Sequence, residues 1–231
     1  MYNTVNEWNK EWDDSFDHYQ LDTRHAYYVN AVISDNCNKV LEIAAGSFRD
    51  MNKLNELGID CYGVDYSDVS VVKAKLQFPS LGEKIVKGDA FALPFKDKEF
   101  DVSYHNGFWG YFDNESIDRL LQEQIRVTKR MVIATVHNRH CQQFFEYFER
   151  KKLETPLFNI RFFTSQEIRD CISPYCEEIR VIPVGKQKKL YEDDLINIGL
   201  CDAASIKKSF DYHKDDLLDC SERLMCIGIL S

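Results

Sequence analysis

The chain predicts an α/β fold: a mostly parallel, seven-stranded, doubly wound sheet with a helical lid at its N-terminus and a helical insertion before its last strand. Three observations carry that expectation. Apolar strand runs alternate with amphipathic helical runs from Lys39 to Val136, the pattern of a parallel sheet covered on both faces through right-handed crossovers. The first strand, Val40-Leu41-Glu42-Ile43, breaks into the small-residue turn Ala44-Ala45-Gly46-Ser47-Phe48, and the second, Cys61-Tyr62-Gly63-Val64, ends in Asp65. Two late strand patterns, at 179–184 and 223–230, complete the sheet.

The elements follow in order. Trp8, Trp12 and Phe16 recur every fourth residue and share one helical face. That stripe either docks the segment on the core or forms a lid whose rings close over a ligand; the two roles are compatible. The first strand spans 39–43. Its helix carries Met51, Leu54 and Leu57 on one side and stops at Gly58, a left-handed C-terminal position. Ser67 is placed to cap a helix with Val69, Val72 and Leu76 inward, ending before Pro79. A third strand at 85–87 leads to Gly88-Asp89-Ala90, and a fourth spans 100–104. Ile117, Leu120, Leu121 and Ile125 mark the next helix, and 131–136 reads as a fully buried fifth strand. Beyond Asn138 a helix rich in Phe144, Phe145, Tyr147 and Phe148 runs to a loop at Pro156. Thr164-Ser165-Gln166-Glu167 is a capping box, and Ser173-Pro174 ends the helix it opens. The polar stretch of about 186–220 reads as a mostly helical insertion covering one end of the sheet. Residues 1–231 are expected to form one domain, with 1–36 as the helical cap.

Composition removes several function classes. A net charge of −9, with Lys and Arg scattered, repels a phosphate backbone and argues against nucleic acid. No apolar run is long enough to span a bilayer, and the first residues lack a basic region followed by an apolar stretch. The expected location is the cytoplasm, with no membrane partner. None of the eight cysteines forms a C-x-x-C pair, so they read as reduced core thiols. His137, His140 and Cys141 fall short of the four spaced ligands of a structural zinc site, and no metal is expected.

The first turn discriminates between ligands. A dinucleotide wants G-x-G-x-x-G, so that backbone can touch its pyrophosphate. Here Gly46 is the one glycine, Phe48 would crowd a phosphate, and Glu42 and Asp50 add negative charge. A cationic nucleoside suits these residues better. Small side chains let it lie close to the backbone, and Asp65 is placed to grip a ribose diol.

Taken in order, these motifs resemble those of class I SAM-dependent methyltransferases. Residues 40–47 resemble the first motif and Tyr62-Gly63-Val64-Asp65-Tyr66-Ser67 the second, whose acid holds the ribose hydroxyls. Gly88-Asp89-Ala90, with Leu93-Pro94-Phe95, resembles the third, whose Asp reaches the adenine amino group. Phe100-Asp101-Val102 and the residues to Phe112 resemble the fourth strand, which ends beside the donor methyl. The resemblance implies a Rossmann-like fold, S-adenosylmethionine as cofactor and S-adenosylhomocysteine as product. It implies a donor-binding half at 37–137, a substrate-side half at 138–231, and donor contacts from Glu42, Ala44, Gly46, Arg49, Asp65, Tyr66, Asp89, Ala90 and His105, with Asn106 beside them. The chain departs from the pattern at Ala44, tolerable if its φ is negative, at Phe48, where a further glycine often sits, and at Tyr111, where many relatives carry His.

Methyl transfer from a sulfonium is an in-line displacement, so the protein's main contribution is alignment; a base is needed only if the acceptor must lose a proton. The candidate catalytic residues are His137, whose imidazole suits neutral pH unless it is merely a capping or surface group, and Tyr111, which with Trp109 and Phe112 either walls an acceptor pocket or packs under the next helix. No Asn/Asp-Pro-Pro-aromatic motif follows the fourth strand. The expected acceptor is therefore a small molecule, through an oxygen or nitrogen of a metabolite or sugar. A protein methyltransferase and a non-catalytic donor-binding relative are the alternatives, and an NAD-type dehydrogenase is disfavoured by the turn.

Overall fold

A computed structural model describes residues 4–33, 37–153, 158–185, 203–213 and 217–231. Seven strands form one sheet in the order β3-β2-β1-β4-β5-β7-β6. They are β1 (Val40–Ile43), β2 (Cys61–Asp65), β3 (Ile85–Lys87), β4 (Phe100–Asn106), β5 (Thr128–His137), β6 (Glu178–Val184) and β7 (Arg223–Ile229). Pairings β3 through β5 are parallel, whereas β7 runs antiparallel to both β5 and β6. The order reverses at β1 and β4, so the carboxyl ends of these strands flank the crevice where such sheets bind ligands. Because β7 is reversed, its first residue, Arg223, lies level with His137 at that same edge.

Helices α2 (Arg24–Val32), α3 (Arg49–Glu56) and α4 (Asp68–Gln77) cover one face, with Ala26, Val29, Met51, Leu54, Val71 and Ala74 inward. Helices α5 (Asn114–Val127) and α7 (Ser165–Ile172) cover the other through Ile117, Leu120, Leu121, Ile168 and Ile172. The capping box at Thr164 and Glu167 and the cap at Ser67 form as expected. So does the left-handed stop at Gly58, with φ of 87°. Helix α6 (Gln142–Lys151) buries none of its residues fully.

Three expectations are corrected. Helix α4 turns Ser70, Val71 and Ala74 inward and leaves Val72 and Leu76 exposed. Ser70 Oγ donates to the Gly46 carbonyl, and helix α1 (Val5–Tyr19) packs on α4. So close an approach needs small side chains rather than the largest apolar ones. Leu57 is exposed, because α3 ends before its periodicity reaches that residue. Most of the expected insertion, and the loop at Pro156, lie outside the described residues. The described part, α8 (Ala203–His213), covers a face rather than an end: Ile206 and Phe210 join the core against α2, with Phe210 packing on Tyr28 at 5.8 Å. Among the described residues no helix is long and apolar enough to cross a membrane.

Candidate active site

The turn after β1 takes left-handed backbone at alternate residues, with φ of 53° at Ala44, 56° at Gly46 and 56° at Phe48. The condition of negative φ under which Ala44 was tolerable is therefore not met, and two side-chain-bearing residues hold a conformation that costs each about 1–2 kcal/mol. The expected crowding by Phe48 is also absent. Its ring is fully buried beneath the turn, where a Cβ on Gly63 would meet Phe48 Cδ1 at 2.6 Å.

What lies over Gly46 is Trp12, since a Cβ there would meet the indole Cζ2 at 2.3 Å. Helix α1 is fastened along this whole edge. Ser67 Oγ donates to Asn9 Oδ1 (2.7 Å), Gln20 Nε2 donates to the Ser47 carbonyl (2.9 Å), and Lys73 pairs with Asp13 (2.9 Å). Trp8 meets Tyr111 edge-on at 5.0 Å. Phe16 is buried in the core while Trp8 and Trp12 are half-buried. The aromatic stripe thus both docks and covers.

Beneath α1, Asp65 joins the two motifs. Its Oδ2 accepts from the Gly46 amide (2.8 Å) and its Oδ1 from the Ser67 amide (2.8 Å). Burial lifts its pKa from 3.8 to about 6 in spite of those donors. Glu42 Oε2 accepts from the Met51 amide (2.9 Å), and burial together with neighbouring Asp50 raises its pKa well above the usual carboxylate range. Burial alone would raise Asp50 too, but the hydrogen bond from His25 and the charge of Arg49 hold it below 3.8. The two carboxyls are thus driven apart, Glu42 toward its protonated form by burial and Asp50 toward its carboxylate by His25 and Arg49. Asp50 Oδ1 accepts no hydrogen bond among the described residues, its nearest cation being Arg49 Nε at 3.7 Å.

Sequence reasoning misses the network that orients Asp50. His25 Nδ1 lies 3.1 Å from Asp50 Oδ2 and its Nε2 lies 2.8 Å from Thr135 Oγ1. An Nδ1–H donating to the carboxylate and an Nε2 accepting from the hydroxyl satisfy all three groups. Asn106 adds a 3.5 Å contact to the same carboxylate oxygen.

The remaining expected residues divide along the edge. Tyr66 and Asp89 are exposed, Ala90 is half-buried, and Asp89 Oδ1 accepts from the Phe91 amide (2.9 Å). Arg49 sits at the start of α3, donating to the Tyr19 carbonyl with its guanidinium over the Tyr19 ring. His105 is buried against Trp109 (4.7 Å); neither ring nitrogen has a hydrogen-bond partner among the described residues, and burial lowers its pKa to about 3. Tyr111 is half-buried, with its phenol pushed upward by desolvation.

His137 is buried among Phe144, Phe148 and Phe162, stacking on Phe144 within 9° of parallel. Desolvation and the Arg223 charge depress its pKa well below 6.5. Arg223 donates to its Nδ1 at 3.0 Å, which leaves Nε2 carrying the ring proton. In this arrangement the imidazole has no free lone pair with which to accept a proton. Of its surroundings, the Phe run is legible in the sequence; Arg223, a lone cation opening an apolar strand, is the signal that could have marked the rest.

Residues 41–134 match a family model described as a methyltransferase domain. A demethylmenaquinone methyltransferase of Paenarthrobacter aurescens is 33% identical over 99 residues, covering 42% of this chain and 38% of the relative. One from Renibacterium salmoninarum is 30% identical over 109 residues, 46% of this chain and 44% of the relative. The chain thus spans about two-fifths of the length of these curated relatives. Among solved structures, a SAM-dependent methyltransferase of Thermotoga maritima superposes with a TM-score of 0.63 at 20% identity, covering 96% of each chain. A geranyl diphosphate C-methyltransferase of Streptomyces coelicolor A3(2), solved with Mg2+, geranyl diphosphate and S-adenosyl-L-homocysteine, superposes with a TM-score of 0.58 at 14% identity, covering 92% of this chain and 80% of that one.

Proposed function

We propose, from the premise that this chain carries the methyltransferase domain of the class I SAM-dependent family, that it transfers a methyl group from S-adenosylmethionine to an oxygen or nitrogen of a small-molecule acceptor. The carrying observation is the Asp65–Gly46 hydrogen bond, which fastens a strand-end carboxylate to the one residue of the turn that has no side chain. That is a cradle for a ribose and its attached chain, and the site's residues fit the donor. Asp50 supplies one negative charge and an unfilled acceptor oxygen suited to a cationic amino-acid end. When bound, the donor supplies a methyl group on a sulfonium leaving group.

The chain's own residues then position and shield. Asp65 accepts from the ribose hydroxyls, Gly46 allows close backbone approach once Trp12 moves off it, and Asp89 and Ala90 border the base. Glu42, Ala44, Arg49, Tyr66 and His105 complete the donor's surroundings, with His25 and Thr135 fixing Asp50. Trp8, Trp12 and Tyr111 exclude water, so that rate comes mainly from alignment, for which about 7–11 kcal/mol is available in favourable cases. With its Nδ1 engaged, His137 serves as a positioning residue rather than a base. The small-molecule reading is supported by the covering helix α1 and by relatives whose names specify demethylmenaquinone and geranyl diphosphate as acceptors.

Calorimetry with S-adenosylhomocysteine and NAD, followed by tritiated-methyl incorporation into a metabolite extract, tests this reading. Tight binding of the first ligand and a labelled small product are expected. Binding of NAD with no affinity for S-adenosylhomocysteine would remove it.

A further inference from the structure

At the carboxyl edge of the sheet, beyond Trp12, the chain places a guanidinium that no carboxylate grips. Arg223 opens β7 opposite His137, and its one hydrogen bond among the described residues goes to the neutral His137 Nδ1, at 3.0 Å. No carboxylate stands within ion-pair distance of it among those residues. The charge of Glu222, its neighbour in the chain, reaches it only from farther away. Arg223 is half-buried, and a cation partly withdrawn from water is ordinarily paired, because its desolvation penalty is otherwise uncompensated.

The surroundings are shaped around this charge. Gly107, left-handed at φ of 79°, is the residue over which the guanidinium lies: a Cβ there would meet Arg223 Nη1 at 2.8 Å and His137 Cε1 at 3.4 Å. Tyr19 from the end of α1 and Tyr111 from the turn after β4 are further electrostatic neighbours. The same strand end therefore faces the covering helix and the residues beside the donor turn. Phe144 and Phe148, half-buried on a helix that hides none of its residues completely, also pack on the His137 ring. A fixed cation thus adjoins an apolar surface, held together by an imidazole that touches both.

We propose that Arg223 is the anchor for an oxyanion on the methyl acceptor, whose apolar body lies against Phe144 and Phe148: the acceptor is a small amphiphile carrying a carboxylate or phosphate. This rests on the methyltransferase reading and narrows its substrate class. A planar guanidinium with one edge committed to His137 keeps its other donors for two acceptor oxygens, the geometry for which arginine surpasses lysine. His137 acts here as a positioning residue, taking one N–H and fixing the fork's orientation.

The test uses the full chain saturated with S-adenosylhomocysteine, titrated by calorimetry with benzoate, phenyl phosphate and the neutral isostere benzamide. At least one anion is expected to bind about tenfold or more tightly than benzamide, as a charge-assisted pair requires; which anion wins separates carboxylate from phosphate acceptors. Arg223→Gln should erase the preference, Arg223→Lys should keep part of it, and both should hold S-adenosylhomocysteine within about twofold of the wild-type affinity, which also certifies their folding. Equal binding of benzamide and the anions, or a preference that persists in Arg223→Gln, overturns the proposal. So does a roughly tenfold loss of S-adenosylhomocysteine affinity in Arg223→Gln, which would assign the guanidinium to the donor's own carboxylate. Failure of the wild type to bind S-adenosylhomocysteine would instead strike the methyltransferase reading beneath it.

Discussion

The substitution Asp65→Asn should change how stability depends on pH. The carboxyl's ordinary pKa of 3.8 rises to about 6 in the folded protein, because burial outweighs the amides of Gly46 and Ser67. The folded state therefore binds the proton more tightly than the unfolded chain. Below 3.8 both states are protonated, and the contribution of the protonated group is fully present. Between 3.8 and about 6 the unfolded chain ionises first, and the wild type loses stability as pH rises. At about 1.4 kcal/mol per unit the loss amounts to about 3 kcal/mol, complete above the folded-state value. The substituted amide does not titrate, and Glu42 and the other carboxyls are common to both proteins and cancel in the difference. A side-chain amide accepts at only one end, so the variant also carries a pH-independent penalty of about 1–3 kcal/mol for one deserted backbone N–H. Urea unfolding of both proteins at about pH 4 and about pH 7 gives the two free energies. The wild type should be the more stable at the lower pH, and its advantage should shrink or reverse at the higher. Parallel pH curves, or a wild-type advantage that grows with pH, would refute the argument.

Other substitutions probe the same edge. Asp65→Ala should weaken S-adenosylhomocysteine binding by about 1–3 kcal/mol in calorimetry through loss of charged hydrogen bonds. Trp12→Ala, which uncovers Gly46, should raise the association rate for that ligand measured by surface plasmon resonance; an unchanged rate would show that α1 does not gate entry. Thr135→Val leaves the His25 Nε2 without a donor and should lower unfolding free energy by about 1–3 kcal/mol. On α4, Val72→Lys should stay within about 0.5 kcal/mol of wild type, while Val71→Lys should destabilise by several times that amount, since only the second residue is buried.

The strand and helix positions along the chain were legible because alternating periodicities and strand-end acids are local signals. Asp65, Gly46 and the caps at Ser67 and Thr164 could be read from residue type alone. The facing of α4 could not. Apolar periodicity selects the bulky Val72 and Leu76, whereas close docking of α1 and the Gly46 carbonyl selects Ser70 and Ala74. Left-handed backbone at Ala44 and Phe48 was equally hidden, because glycine is the one residue that announces it. The His25–Thr135 bond joins positions 110 apart, and no local pattern reports such a partnership. Arg223 became meaningful once β7 proved antiparallel, which carries its first residue to the ligand edge instead of the far one.

The fit between Phe48 and Gly63 has a bearing on how this turn can change. The benzyl group fills the place beneath the loop that a methyl on Gly63 would invade, approaching Phe48 Cδ1 to 2.6 Å, Cε1 to 2.8 Å and Met51 Sδ to 3.0 Å. Glycine at position 48 would relax the backbone but hollow out the space under it, and giving position 63 a side chain would push the ring aside. The two sites are thus energetically coupled: a change at either one alone gives up packing that a matched change at the other would restore.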